Sequence, residues 1–140
     1  MTVPAQYVHA SADFERFLVD LRDVANLTTT NQAYTVAEGV LLAFRRRLDV
    51  NGVARFASVL PPVLRAIFVA EWDPDEPERS FDDDDDVMTK EVQSLRPLHN
   101  YASETSIRDV AVALRKHVDE PAFDRVLAGL PQGAERFWSA

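Results

Sequence analysis

The chain contains no cysteine and only four glycines, and each shortage excludes certain kinds of site. Without thiolates there are no cysteine zinc centres, iron–sulfur clusters or thiol nucleophiles, and a reducing compartment is acceptable. With so few glycines, no P-loop, G-x-G-x-x-G loop or G-x-S-x-G elbow occurs. The sequence therefore lacks the common signatures of nucleotide binding and of covalent catalysis.

Positive charge and long apolar runs are also scarce. The formal net charge is −8, and the isoelectric point is about 4.8. A general nucleic-acid binder needs a basic face to neutralise phosphates, so nucleic acid is not an expected partner. No apolar run approaches the ~18 residues of a membrane span, and the first thirty residues lack a basic start followed by an apolar stretch. We therefore predict a soluble, cytoplasmic protein with no membrane partner.

The acidic residues are concentrated in one segment of the 140-residue chain. Hydrophobic residues make up 46% of the total, enough for one compact domain or two closely packed halves. Residues 71–86 hold ten acids against the single base Arg79, so they carry −9 and the remainder only +1. Pro74 and Pro77 interrupt any helix there, and like charges repel. The expected organisation is a unit at 11–72, an acidic linker at 73–86 and a unit at 87–140.

Apolar residues spaced three and four apart predict amphipathic helices, and no sustained alternation predicts a strand. In the first half, we expect Ser11 to cap the first helix and one of Thr28–Thr30 to cap the second. Asp49 or Asn51 is expected to cap the third. Pro61-Pro62 then ends the third helix and begins the fourth, since proline has no N–H and suits a first helical turn.

The second half repeats the first at a shift of 70 residues, which becomes 71 upstream, where Val92 takes the place of Leu21. The matched residues include Val40 with Val110, Phe44 with Leu114, Leu48 with Val118, Phe56 with Val126, Leu60-Pro61 with Leu130-Pro131, and Phe68 with Trp138. We interpret this pattern as a duplication. The predicted fold is all-α, with two units of about four helices packed as one bundle. Phe137 and Trp138 are expected in its core, with a dimer contact as the alternative.

This order of helices resembles the bacterial family called domain of unknown function 2267. The residues that carry the resemblance are Phe17-Leu18, Val40 to Leu48, Leu60-Pro61 with Leu64-Arg65, Trp72, Leu114, Leu130-Pro131 and Phe137-Trp138. The resemblance runs from about residue 14 to the end of the chain. It implies an all-helical fold and no assigned activity. Asp82–Asp86 depart from the mixed, Phe-containing helix start that is more usual in the family's second unit.

Candidate ligands for metal ions are few. Asp82–Asp86 invite a cation site because hard ions prefer carboxylates, but no D-x-D-x-D-G pattern or glycine-assisted turn is present. A solvated linker whose last aspartates favour the next helix N-terminus is the preferred interpretation. His9, His99 and His117 form no i, i+4 pair and no H-E-x-x-H, so we expect exposed or capping positions for them. We assign no catalytic, metal-binding or cofactor-binding residue.

Arg45, Arg46 and Arg47 lie near the end of the longest predicted helix, where cations offset the negative end of the helix dipole. Successive helical residues point about 100° apart, so the three cannot form one flat patch. His117 takes the position of Arg47 in the second unit. A helix-end role, with the acidic linker folded over the arginines, is preferred to an anion or partner site.

Two functions remain open. One-sided helices, duplication and missing catalytic motifs favour a non-enzymatic interaction or scaffold protein, with an unidentified protein partner bound in the groove between the units or on the long helices. A homodimer is left open. The alternative is a small ligand-binding or enzymatic bundle with a polar site between the units, built from Arg45, Arg55, Arg115 and Arg125. Convergence of these arginines on a buried pocket would favour the alternative, and local pairing would count against it. A third option is that the linker acts as a removable mask over a basic strip.

Overall fold

Nine helices and no strand occupy the part of the chain that the structure, a computed structural model, describes: residues 1–81, 84–95 and 101–140. They are α1 Ala5–Val8, α2 Ala10–Val24, α3 Thr30–Arg45, α4 Val50–Ser58, α5 Pro62–Val69, α6 Asp85–Ser94, α7 Ser106–Arg115, α8 Glu120–Ala128 and α9 Ala134–Phe137. The predicted all-α class is confirmed. Within these ranges no helix has both the length and the apolar character needed to cross a membrane.

Local sequence sets where several of these helices begin. The Thr29 hydroxyl accepts from the Gln32 N–H at 3.2 Å, and the Gln32 side chain accepts from the Thr29 N–H, which forms a capping box. The Asp49 carboxylate accepts from the Gly52 N–H at 2.7 Å and so starts α4. The predicted cap at Ser11 is wrong. The chain enters α2 almost directly from α1, which leaves Ser11 inside the helix.

With residues 11–72 and 87–140 labelled the first and second units, some helix boundaries agree with the 70-residue register and others do not. Helices α4 and α8 start 70 positions apart and each has nine residues. Helices α3 and α7 end at Arg45 and Arg115, which are also 70 positions apart. Asp119 caps α8 through the Ala122 N–H, as Asp49 caps α4. These boundaries agree with the internal register, while the common origin of the two units stays a prediction.

One aromatic cluster joins the two units. The Phe56 ring of α4 lies 4.6 Å from Phe44, 5.5 Å from Phe123 and 5.5 Å from Trp138, measured between ring centroids. These four side chains are fully buried, and Phe137 is buried beside them. Such ring pairs add about 0.5–1.5 kcal/mol each to the free energy of burial. The prediction that Phe137 and Trp138 lie in the core is confirmed, and both units share that core.

Helices α2 and α6 each pack on a helix of the other unit, α2 on α7 and α6 on α3. Helix α2 contacts α7 as well as α3 and α5, and α6 contacts α3. Helix α6 packs closely on α3 at Gly39, where a Cβ would lie 3.2 Å from Cγ1 of Val92. The two units therefore interlock.

Residues 70–81, which we call the strap, run across the end of α3. The Arg79 N–H donates to the Arg46 carbonyl at 2.8 Å, and Arg47 Nε donates to the Ser80 carbonyl at 3.1 Å. Glu76 Oε1 lies 3.7 Å from Arg46 Nε. The strap is thus held against the helix-end arginines, although its residues from 73 to 80 remain exposed. Of the predicted acidic linker, residues 82 and 83 lie outside the described ranges.

Candidate functional site

A cleft of about 290 Å³ lies between the two units. Its walls come from the first two turns of α2, the start of α5 and the residues that follow α7. Its apolar lining consists of Phe14, Phe17, Pro61, Val63, Leu64 and Val118. Its other lining residues are Ala10, Asp13, Lys116 and His117. Because both units contribute side chains, this is a groove between the units of the kind that the sequence suggests.

The apolar residues of the cleft differ in depth. Phe17 and Leu64 are 1% and 2% exposed, so they form its floor. Phe14, Val63 and Val118 are half-buried and form its sides. Pro61, the last residue of the turn between α4 and α5, also lines the cleft. The cleft is therefore a concave site with a mainly apolar set of lining residues.

A histidine–carboxylate pair borders the cleft. His117 Nε2 donates to Asp20 Oδ2 at 2.6 Å, and the imidazole meets the Phe17 ring edge-on at 5.8 Å between centroids. The side chain of His117 is 17% exposed. The expectation of an exposed or capping histidine is therefore wrong at this position, because the packing of α2 on α7 brings Asp20 to the imidazole. Sequence inspection did not single out Asp20, which is 97 residues from His117.

The charges around the cleft are unevenly compensated. Asp13 forms an ion pair with Arg16, one turn along α2. Asp20 is in contact with His117. Lys116 is exposed and has no ionic partner among the residues that the structure describes. The cleft thus combines an apolar interior with one uncompensated ammonium group at its border.

The four duplicated arginines do not form the predicted polar site. Arg45 Nη1 donates to the carbonyls of Phe68 and Ala70, each at 3.0 Å, and desolvation by burial lowers the pKa of its guanidinium. Arg115 donates to the carbonyl of Trp138 at 2.8 Å and forms ion pairs with two carboxylates of α8. The remaining two are exposed, and none of the four lines the cleft. Local pairing of this kind counts against a site built from these arginines.

The described residues give little support for a metal centre. No group of three or more histidine and carboxylate side chains in the described ranges is placed to hold an ion. Asp84 caps α6 through the Val87 N–H at 2.8 Å, and Asp85 pairs with Arg136 at 3.0 Å. His9 lies exposed between α1 and α2. The remaining histidine, His99, lies outside the described residues.

A second cavity, of about 380 Å³, lies beside the C-terminal residues. Its lining residues come from α6, α7, α9 and their neighbours, all between residues 85 and 140. Charged groups of both signs border it, and the pair between Arg136 and Asp85 joins two of its walls. This cavity has no apolar floor shared by the two units, so the cleft is the stronger candidate.

Comparison with known families agrees with the resemblance noted above. The model of the uncharacterized conserved protein family DUF2267 matches residues 14–137. This match covers most of the chain, and the protein belongs to that family. No curated protein matches the chain.

Proposed function

We propose that this member of the DUF2267 family is a non-enzymatic ligand-binding helical bundle, and that its site is the cleft between the two units. The observation that carries the proposal is the cleft itself, whose apolar floor and sides come from α2, α5 and the end of α7. This is the second of the two functions considered from the sequence. Its site is moved from the four arginines to the cleft.

Binding is a better fit to the cleft than covalent catalysis. Its polar lining residues are Asp13, Lys116 and His117, and the lining residues that the structure describes have no hydroxyl or thiol group. Burial of apolar area contributes about 25 cal/mol per Å², so the floor and sides supply affinity without any chemical step. Ligand pockets usually measure about 300–1,000 Å³. A cleft near the lower limit of that range favours a compact ligand.

A neutral aromatic probe tests the proposal. We expect 3-phenylpropionamide, titrated into the protein, to shift the NMR signals of Phe17, Leu64 and Val118. Val63→Trp should fill the cleft and abolish those shifts. Val87→Trp is the matched control, because Val87 also lies in a first helical turn but is 47% exposed and outside the cleft lining. Shifts that persist in Val63→Trp, or their absence from the unmodified protein, would refute the proposal.

The interaction or scaffold function stays a second proposal. It is supported by the shared aromatic core around Phe56, because a single core fixes the surfaces of both units relative to each other. A protein partner, a homodimer, the cytoplasmic location and the masking role of the linker belong to this proposal. A scaffold that holds its partner on the long helices, outside the cleft, should retain that partner in Val63→Trp. Cross-linking in cells of this variant and of Val87→Trp therefore separates that role from ligand binding.

A further inference from the structure

The residues that lie 70 or 71 positions from the cleft lining, in the other half of the chain, form a counterpart of the cleft. His117 matches Arg47 at a shift of 70, and Asp20 matches Glu91 at a shift of 71. Both matched pairs are in contact. His117 Nε2 lies 2.6 Å from Asp20 Oδ2, and Arg47 Nη1 lies 2.6 Å from Glu91 Oε2. We call the second location the closed counterpart.

An aromatic ring fills the closed counterpart. There Phe81 matches Ala10, and Gly133 matches Val63. The ring is so close that a Cβ on Gly133 would lie 2.9 Å from Phe81 Cγ. The same ring lies 5.7 Å from Phe44 between centroids. The residue that matches Phe81 in the internal register is Ala10, which lines the cleft with only a methyl group.

A carboxylate accompanies the ring in the closed counterpart. Arg46, which matches Lys116, has its Nε 3.7 Å from Glu76 Oε1. The strap therefore supplies both Glu76 and Phe81. The segment that precedes α2, residues 1–9, contains neither aspartate nor glutamate. The chain thus provides a ring and a carboxylate at one location, whereas Lys116 has no ionic partner among the described residues at the other.

We propose that the cleft binds a small carboxylic acid that carries one aromatic ring. The ring occupies the position that Phe81 takes in the closed counterpart, over Phe17 and Leu64. The carboxylate pairs with Lys116, as Glu76 pairs with Arg46. This inference rests on the proposed function, since it names the ligand class of the same cleft.

Charge favours an acid over an amine in this cleft. The carboxylate of Asp13 forms an ion pair with Arg16, which offsets part of its repulsion of an anionic ligand. The ammonium of Lys116 is available, and a charge-assisted bond to it is about twice as strong as a neutral one. Because Lys116 is exposed, water and salt weaken the attraction, so the charge contributes selectivity more than affinity.

Comparing a carboxylic acid with its neutral amide separates the contribution of the carboxylate to affinity from that of the ring. We expect 3-phenylpropionate to bind about 3- to 10-fold more tightly than 3-phenylpropionamide, as measured by NMR titration at low salt. In Lys116→Met, the acid and the amide should bind with equal affinity, and continued binding of the amide shows that the cleft remains folded. Lys90→Met is the matched control, because Lys90 is the only other lysine and is exposed on α6. It should keep the preference.

The remaining outcomes are also decisive. If the amide binds in the cleft and the acid binds no more tightly, the inference is wrong while the proposed function stands. If neither compound binds, both fail. A peptide of residues 76–81 carries the strap's own carboxylate and ring. If this peptide binds the cleft more tightly than 3-phenylpropionate, the occupant is a protein segment and the small-acid inference is overturned.

Discussion

Arg45 donates through Nη1 to the main-chain carbonyl of Phe68 at 3.0 Å, which ties the end of α3 to the last turn of α5. Seventy residues further along the chain, Arg115 donates through Nε to the carbonyl of Trp138 at 2.8 Å. Each arginine ends the long helix of its unit and donates to a carbonyl at the C-terminal end of the last helix of that unit, α5 or α9. The duplicated arginines therefore join helices within their own units, which explains why they do not form a binding pocket.

Replacing Arg45 should destabilise the fold. Arg45→Met keeps much of the buried side chain but leaves the carbonyls of Phe68 and Ala70 without their donor. We expect a loss of about 2 kcal/mol in the free energy of unfolding, measured by urea denaturation. Arg55→Met, at an exposed position, is the control and should stay within about 0.5 kcal/mol of the unmodified protein. Equal effects of the two substitutions would contradict this role.

Glu91 should be important for stability because Arg47 is buried. The Arg47 side chain is 1% exposed and that of Glu91 9%. Glu91→Gln would remove the Glu91 carboxylate from its ion pair with the buried Arg47 guanidinium, and breaking a buried ion pair usually costs about 3–5 kcal/mol. Since Arg47 also donates to the carbonyls of Ala43 and Ser80, we expect about 2 kcal/mol. The exposed Glu15→Gln is the control in thermal denaturation, and a similarly small effect of Glu91→Gln would be inconsistent with the pair.

Gly133 should not tolerate a side chain. Its φ of 106° lies in the left-handed region, and Phe81 occupies the space that a Cβ would need. Gly133→Ala should lower the free energy of unfolding by about 1–3 kcal/mol. Gly129→Ala is a close control, since a Cβ there would have its nearest contact at 3.6 Å. Addition of Phe81→Ala should relieve part of the cost. Full additivity of the two changes would argue against the contact.

We expect the free energy of unfolding to depend on pH through the carboxyl group of Asp109. Burial raises the pKa of its carboxyl above the ordinary value of 3.8, against the opposing effects of the hydrogen bond from Thr105 and the charge of Arg108. The folded state then holds this proton more tightly than the unfolded state does. The resulting stabilisation is complete below the unfolded pKa and is lost as the pH rises through the folded pKa.

The matching measurement compares Asp109→Asn with the unmodified protein at pH 3 and pH 6. Between these values the unmodified protein should lose stability relative to the variant. Because Asp109 is only partly buried, we expect less than about 1 kcal/mol. Melting temperatures of both proteins at the two pH values provide the test. A difference that is constant or moves in the opposite direction would show that the pKa of Asp109 is not raised.

Periodic and local features of the fold were predictable from the sequence. The spacing of Val40, Phe44 and Leu48 follows one helix face, and each of these residues is buried. Asp49 caps the helix that it was expected to cap. The internal register matches Trp138 to Phe68, and both side chains are buried. These predictions needed only neighbouring residues or the internal register.

The cleft was less predictable because it depends on how helices distant in sequence pack. The pair of Asp20 and His117 forms only when α2 lies on α7, and no local pattern encodes that contact. Serine is a common helix cap, but Ser11 lies inside α2, because α1 precedes it almost directly. The register did contain one usable signal. Acidic residues occur at the matched positions Asp20 and Glu91. Each contacts a basic residue just after the long helix of the other unit, His117 or Arg47.

The most direct test of the central claim is a structure of the protein with 3-phenylpropionate bound. We predict that its ring lies over Phe17 and Leu64 and that its carboxylate lies within about 4 Å of the Lys116 ammonium, the range of an ion pair. A ligand found instead in the cavity beside Arg136, or a cleft that stays free of ligand at saturating concentration, would contradict the assignment of the cleft as the binding site.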